Sequence, residues 1–403
     1  MGVMRQLPIA GSIGLVVTVL AIATAVTDAA AQFDRSYFLK HLREKAAFAP
    51  EDLAALEAGQ TVVKTIKTGD KQETAVVGVV RTTLDGSVTL DRFRASFSQK
   101  RSDEIGPGAK FSSPPINDDL RSLELEEKDI EELERCFVGN CDLNMTEKMI
   151  VRINASVDGS AVDRSQKMSE AYRTLLAEIA AAYEARGAAS LEPLVNRRKP
   201  VPIGEDHRSL LSRSLFLRDA APKLYSFLQN FPKGDDDVEN ALYWSTVEFG
   251  LKPMIAISHV AADAEKSGGG ERFAIATRQI YASRYIDSSL TLSFLFRFAD
   301  DGKSEAYLVF ADRTRSDALG GLLGGIARSV AEQQGKERVK QILERSRDQL
   351  KASLAVTPAG PEQPQTDTAS GTLTNRAVMI IAALAILAVA IAVWLMKRDR
   401  FKR

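Results

Sequence analysis

The chain has 403 residues, 45% of them hydrophobic, enough to bury one large core or two modest ones. Its 53 basic and 53 acidic residues cancel, which argues against a nucleic-acid binder carrying a basic excess on one face. Three histidines and two cysteines leave little material for a metal site, and no cofactor motif accompanies them.

Residues 1–31 read as a signal peptide. Arg5 gives a short basic start, Ile13 to Val26 form an apolar stretch too short to span a bilayer comfortably, and Ala29-Ala30-Ala31 offers a small-residue cleavage site before Gln32. Residues 32–117 form the N-terminal part of an α+β body. Helical spacing over 33–47 is followed by a short helix from Pro50 that stops at Gly59. Two strand-like runs, "QTVVKTIKTG" and the valine-rich "ETAVVGVVRT", lead into "TLDRFRASFSQ", where Leu90, Phe93 and Phe97 share a helix side.

Residues 118–242 read as a helical insertion. "NDDLRSLELEEKDIEELERC" is acidic and helical, and Asn144 is placed to cap the helix after it. The long helix over "AVDRSQKMSEAYRTLLAEIAAAYEARG" carries Met168, Tyr172, Leu175, Ile179 and Tyr183 as an apolar stripe closed by Gly187. Within the block, Cys136 and Cys141 frame the tight turn "CFVGNC", a spacing suited to a structural disulfide in an oxidising compartment.

Strand character returns over 243–354 and ends in a terminal helix. In "SLTLSFLFRFADDGKSEAYLVFADR", Leu290, Leu292, Phe294, Phe296 and Phe298 share one face, while Ser289, Thr291, Ser293 and Arg297 occupy the other. This period-two alternation predicts a sheet with one buried side. Asp301-Gly302 closes the hairpin. Leu319, Leu322, Leu323, Ile326 and Val330 then form a helical stripe expected to meet that Leu and Phe face.

The C-terminus reads as an anchor. A proline-rich stalk, 355–376, precedes the 20-residue apolar run Ala377–Met396, about the length of one transmembrane helix. The basic tail 397–403 places that end in the cytoplasm. The body is therefore expected in the periplasm of a bacterium, held by a single pass through the inner membrane, with the lipid bilayer a partner through Ala377–Met396.

The order of these elements resembles the START-like (helix-grip, SRPBCC) superfamily. "TAVVGVVRTTLDGSVTLDRFRASF" is similar to its early strand and short helix, and "YLVFADRTRSDALGGLLGGIARSVAEQQGKERVKQILERSRDQL" to its last strand, glycine-containing turn and long terminal helix. The likeness covers residues 60–98 and 250–354 and is one of pattern; the chain also resembles secreted bacterial proteins of unassigned function. The expected fold is α+β, a curved antiparallel sheet gripping a long C-terminal helix, with a helical insertion and one C-terminal transmembrane helix.

The resemblance implies a hydrophobic small molecule or lipid held between sheet and helix. Leu290, Leu292, Phe294 and Phe296 would line that cavity, with Leu322 and Ile326 from the helix, and Arg278, Tyr281 and Arg284 would supply its polar groups. Two readings compete with this one. The helical block could dock an envelope protein with no small-molecule ligand. An enzyme would need a buried acid–base pair, and no sequence spacing shows one.

Overall fold

The computed structural model describes residues 34–97, 105–156, 160–235, 237–247, 252–267, 270–300, 303–320 and 324–355. The expected signal peptide, transmembrane span, basic tail and all of the stalk except Ala355 lie outside them, as does Leu322.

Apart from the glycine- and proline-containing Ile105–Lys110, strands form where the sequence alternates or carries β-branched and aromatic residues. They are β1 (Val62–Thr65), β2 (Glu73–Thr83), β3 (Ile105–Lys110), β4 (Glu239–Val247), β5 (Met254–Ser267), β6 (Gly270–Ala282), β7 (Ser288–Asp300) and β8 (Lys303–Arg315). All pair antiparallel in one sheet of order β1-β2-β8-β7-β6-β5-β4-β3. The five strands β4 to β8 are a continuous meander; β2 returns to pair with β8, and β3 pairs with β4 at the other end. The helices are α1 (Arg35–Ala46), α2 (Pro50–Glu57), α3 (Leu90–Ser96), α4 (Glu127–Glu134), α5 (Glu147–Ala155), α6 (Ala161–Arg186), α7 (Ile203–Ser212), α8 (Leu215–Ala220), α9 (Pro222–Asn230) and α10 (Gly324–Ala355). Six of them, α4 to α9, lie between β3 and β4.

Local chemistry sets the helix ends. The Asp34 side chain accepts from the Tyr37 amide at the start of α1. Thr146, not Asn144, caps α5. The Asn144 amide is taken up instead by the Ala282 and Ile286 carbonyls, each at 2.9 Å, which pin the insertion to the sheet. The Cys136–Cys141 disulfide is formed.

Helices cover the sheet on both faces. On one face Val77, Val79, the β7 ladder Leu290 to Phe298, Tyr307 and Val309 pack with Phe38 and Leu42 of α1, Leu210 of α7, Leu217 of α8 and Leu224 of α9. The same face continues under the insertion, where Leu242, Trp244, Ile255 and Ile257 meet Met168, Tyr172 and Leu176 of α6. On the opposite face Val76, Val80, Leu295, Leu308 and Phe310 pack with Phe93 of α3 and with Val339, Ile342, Leu343 and Leu350 of α10. Gly78 permits that contact: a Cβ there would stand 2.5 Å from Val339 and 2.7 Å from Leu343.

Several expectations are corrected. The Leu and Phe face of the hairpin does not meet the terminal helix; it belongs to the core under α1, α8 and α9. The inward face of α10 is set by Ala327, Ala331, Val339 and Ile342, while Ile326 is 68% exposed and Leu319 is buried from the turn before the helix. The small alanines let the helix start lie close to the sheet, which turns Ile326 outward. Alternation in β7 does not mark one buried side either, because Ser289, Thr291 and Ser293 are also buried.

The transmembrane part of the expected fold class and the single-pass inner-membrane placement are also corrected. No helix among the described residues is long and apolar enough to cross a membrane. The two longest, α6 and α10, carry charges on nearly every turn, such as Asp163, Lys167, Glu170 and Arg173, or Arg328, Glu332, Lys336 and Lys340. The residues expected to span, 377–396, lie outside the described ones.

Candidate functional site

Face two of the sheet, the side that packs with α3 and α10, changes character along its length, whereas face one is the side under α1 and the helical insertion. Strand register places Ser258, Gln279, Ser289 and Thr314 in one row across β5 to β8. The next row holds Thr277, Thr291 and Asp312, and Ser293 follows on β7. These residues form a polar band between two apolar patches. Beyond one edge lie Ala256, Ala282 and Met254, packed with Ala327 and Ala331 of α10. At the other edge Val260 shares the row of Thr277, and Ile275 and Phe310 share the row of Ser293; with Leu308 they belong to the apolar cluster that holds Val339 and Ile342. α10 runs along β2, with Arg328 donating to the Asp70 and Glu73 carbonyls and Val339 and Leu343 lying against Gly78. On the helix, Gln334 falls three residues after Ala331 and four before the buried Arg338, on the inward side.

Burial without partners distinguishes the band. Ser258 Oγ, Thr277 Oγ1, Ser293 Oγ and both amide atoms of Gln279 are buried with no hydrogen-bond partner among the described residues, and so is Gln334 Oε1 on the helix. Gln279 and Ser293 are 0% exposed. Well over nine-tenths of buried polar groups in folded proteins are paired. A contiguous run of unpaired ones is a concentrated capacity for hydrogen bonding.

Asp312 is the acid of the band. Its carboxylate accepts from Thr291 Oγ1 at 3.0 Å and from Thr314 Oγ1 at 2.9 Å. Burial pushes its carboxyl up to about 7, against those two hydroxyls and the neighbouring Arg313, which favour the charged form. Asp312 as a whole is half-buried. The band thus offers donors and acceptors of both kinds, with one carboxyl that exchanges its proton near neutrality.

The residues expected from the sequence lie elsewhere. Arg278 is buried on face one, donating to Tyr183 Oη at 3.2 Å and to the Leu228 carbonyl at 3.1 Å. Tyr183 also bonds His259 Nδ1 at 3.0 Å, and burial, with the Arg278 charge added, drops that imidazole to about 3. Tyr281 pairs its hydroxyl with Tyr172 and donates to the Asn144 carbonyl, both at 2.8 Å. Arg284 is ion-paired with Asp129 and Glu132 of α4. All three tie the insertion to the sheet. Phe294 and Phe296 stack at 5.5 Å within an aromatic core that includes Phe38 and Phe216. Leu290 and Leu292 line a separate cleft on face one. Strand parity could have signalled the band, since Ser289, Thr291 and Ser293 alternate with the apolar ladder, but only strand register adds Gln279, Ser258 and Asp312 to them.

No family model and no curated protein matches the chain. Among solved structures, an uncharacterized protein from Rhizobium leguminosarum is similar at 15% identity over 36% of this chain and 86% of that one, with a TM-score of 0.17, too low to carry an argument.

Proposed function

We propose that the protein is a binding module that holds a small polar molecule against its sheet. One observation carries this reading: polar atoms of Ser258, Thr277, Gln279 and Ser293, unpartnered among the described residues, form one contiguous buried patch on the sheet. The mixture of donors and acceptors suits hydroxyl groups, each of which is both. A neutral polyol is the ligand class that this mixture suits. A lipid is disfavoured there, because apolar carbon against these atoms would leave them unsatisfied.

The test is calorimetric titration of the full chain with glucose, galactose, ribose and myo-inositol. Saturable binding of at least one, lost in Gln279→Leu and weakened at least tenfold in the isosteric Thr277→Val, is the expected result. No binding by any of the four, with Gln279→Leu more stable than the parent, would overturn it.

A further inference from the structure

A cleft of about 340 Å³ opens on face one, on the side of the sheet away from α10. Its floor is apolar: Val77, Ala311 and Leu292 stand side by side on β2, β8 and β7, with Phe216 of α8 as a wall. One row further along the strands the chemistry reverses. Leu290 pairs with Arg313, and beyond them Glu73 pairs with Arg315.

The rim is cationic. Lys45, Lys67, Arg213 and Arg313 all line it. A single buried carboxylate, Glu73, meets both guanidinia, at 2.6 Å from Arg213 and 2.6 Å from Arg313. Asp70 lies 3.9 Å from Arg213 but is ion-paired with Arg315. Lys45 and Lys67 are exposed and have no ion-pair partner among the described residues, and Arg213 Nε is a buried N–H without an acceptor. Four cations against one shared carboxylate leave a positive excess at the mouth of an apolar trough. Guanidinium pairs of this kind favour carboxylate or phosphate oxygens.

From this juxtaposition of an apolar floor and a cationic rim we infer that the cleft binds an amphipathic monoanion, an alkyl carboxylate of medium length. Its carboxylate sits between Arg213, Arg313 and the two lysines, and its chain lies on Val77, Leu292 and Ala311. The short apolar floor of three side chains in a cleft of about 340 Å³ suits one alkyl chain of medium length. The site is on the opposite face from the polar band and stands independently of it.

The experiment titrates the full chain with octanoate and with octanol, its neutral counterpart. Octanoate is expected to bind saturably and at least tenfold more tightly than octanol. The double variant Lys45→Glu/Lys67→Glu, two exposed positions that leave the core untouched, should weaken octanoate at least tenfold and leave octanol unchanged. Ala311→Leu, which fills the floor, should weaken both, with unchanged circular dichroism as the folding control. Equal binding of acid and alcohol, or octanoate binding that survives the double charge reversal, would overturn the inference. Retention of any polyol binding in these variants separates this site from the band.

Discussion

The two faces of strand β7 do opposite jobs with the same backbone. Leu290, Leu292, Phe294, Phe296 and Phe298 face one layer of helices and have neighbours of their own kind. Thr291 and Ser293 face the other layer and are buried as deeply. The first face is filled by aromatic rings, with Phe38 4.9 Å from Tyr307 and 5.0 Å from Phe296. The second leaves hydroxyl and amide groups without partners. A buried apolar face gains stability from contact area, whereas a buried polar face is stable only if every group is satisfied. The first is therefore scaffold and the second is where a ligand has something to contribute.

Truncation breaks the comparison most sharply. Phe296→Ala should lower unfolding free energy by about 3–5 kcal/mol, as for a large aromatic deleted from a packed core. On the opposite face, Ser293→Ala should change it by less than about 1 kcal/mol, because the hydroxyl removed had no partner to lose. Urea denaturation of both variants decides whether the two faces differ as described. An intermediate cost tests the layer between them. Gly78→Val puts a side chain into Val339 and Leu343 of α10, and should cost about 1–3 kcal/mol by overpacking. Its unfolding midpoint should fall while α1 and its aromatic core keep their native spectra.

A smaller effect comes from the disulfide. Cys136 and Cys141 are separated by 5 positions, so the loop they close is short. Cys136→Ser/Cys141→Ser should cost about 2 kcal/mol or less. The smallest effect is also the most diagnostic of the polar face. The Asp312 carboxyl moves from its ordinary 3.8 up to about 7 on folding. Between those values the folded chain keeps a proton that the unfolded chain has released. Its contribution is therefore full below about pH 4 and is lost as pH rises through 7. Asp312→Asn should flatten that decline and raise the melting temperature at pH 8 by about 3 °C, equivalent to roughly 1 kcal/mol. A parent melting curve that is flat from pH 4 to 8 would contradict the shift.

What the sequence made legible was local. The hairpin, the helical character of the block before it and the cysteine turn all depend on residues a few positions apart. Which helix covers which face depends on long-range packing. The stripe assigned to the terminal helix was built on Leu and Ile, whereas Ala327 and Ala331 turn inward because close approach favours small side chains. Arg284 could be seen to need a partner, yet Asp129 and Glu132 come from a helix far upstream. The polar band was legible only on β7, through Ser289, Thr291 and Ser293, for a similar reason. Ser258, Gln279 and Asp312 lie on three strands, and the bulge between Gln279 and Tyr281 resets the parity by which β6 would be assigned. The cationic rim collects Lys45, Lys67, Arg213 and Arg313 from four segments whose charges look unremarkable in isolation.

The strand order has a kinetic consequence. Strands β4 to β8 follow one another, so each new pairing closes only a short loop. The pairings at the two margins are different. β2 waits for β8, joining Glu73 to Arg315, and β3 waits for β4, joining Lys110 to Tyr243 across the whole helical insertion. Closing such long loops carries an entropic cost that must be met before the contacts repay it, which makes late assembly the expected course. Pulse-labelled hydrogen exchange during refolding should find the amides of β6 and β7 protected first and those of β2 and β3 last. Since α10 docks on β2 beside Gly78, that helix would be seated only in the final step of folding, after the aromatic face has already set.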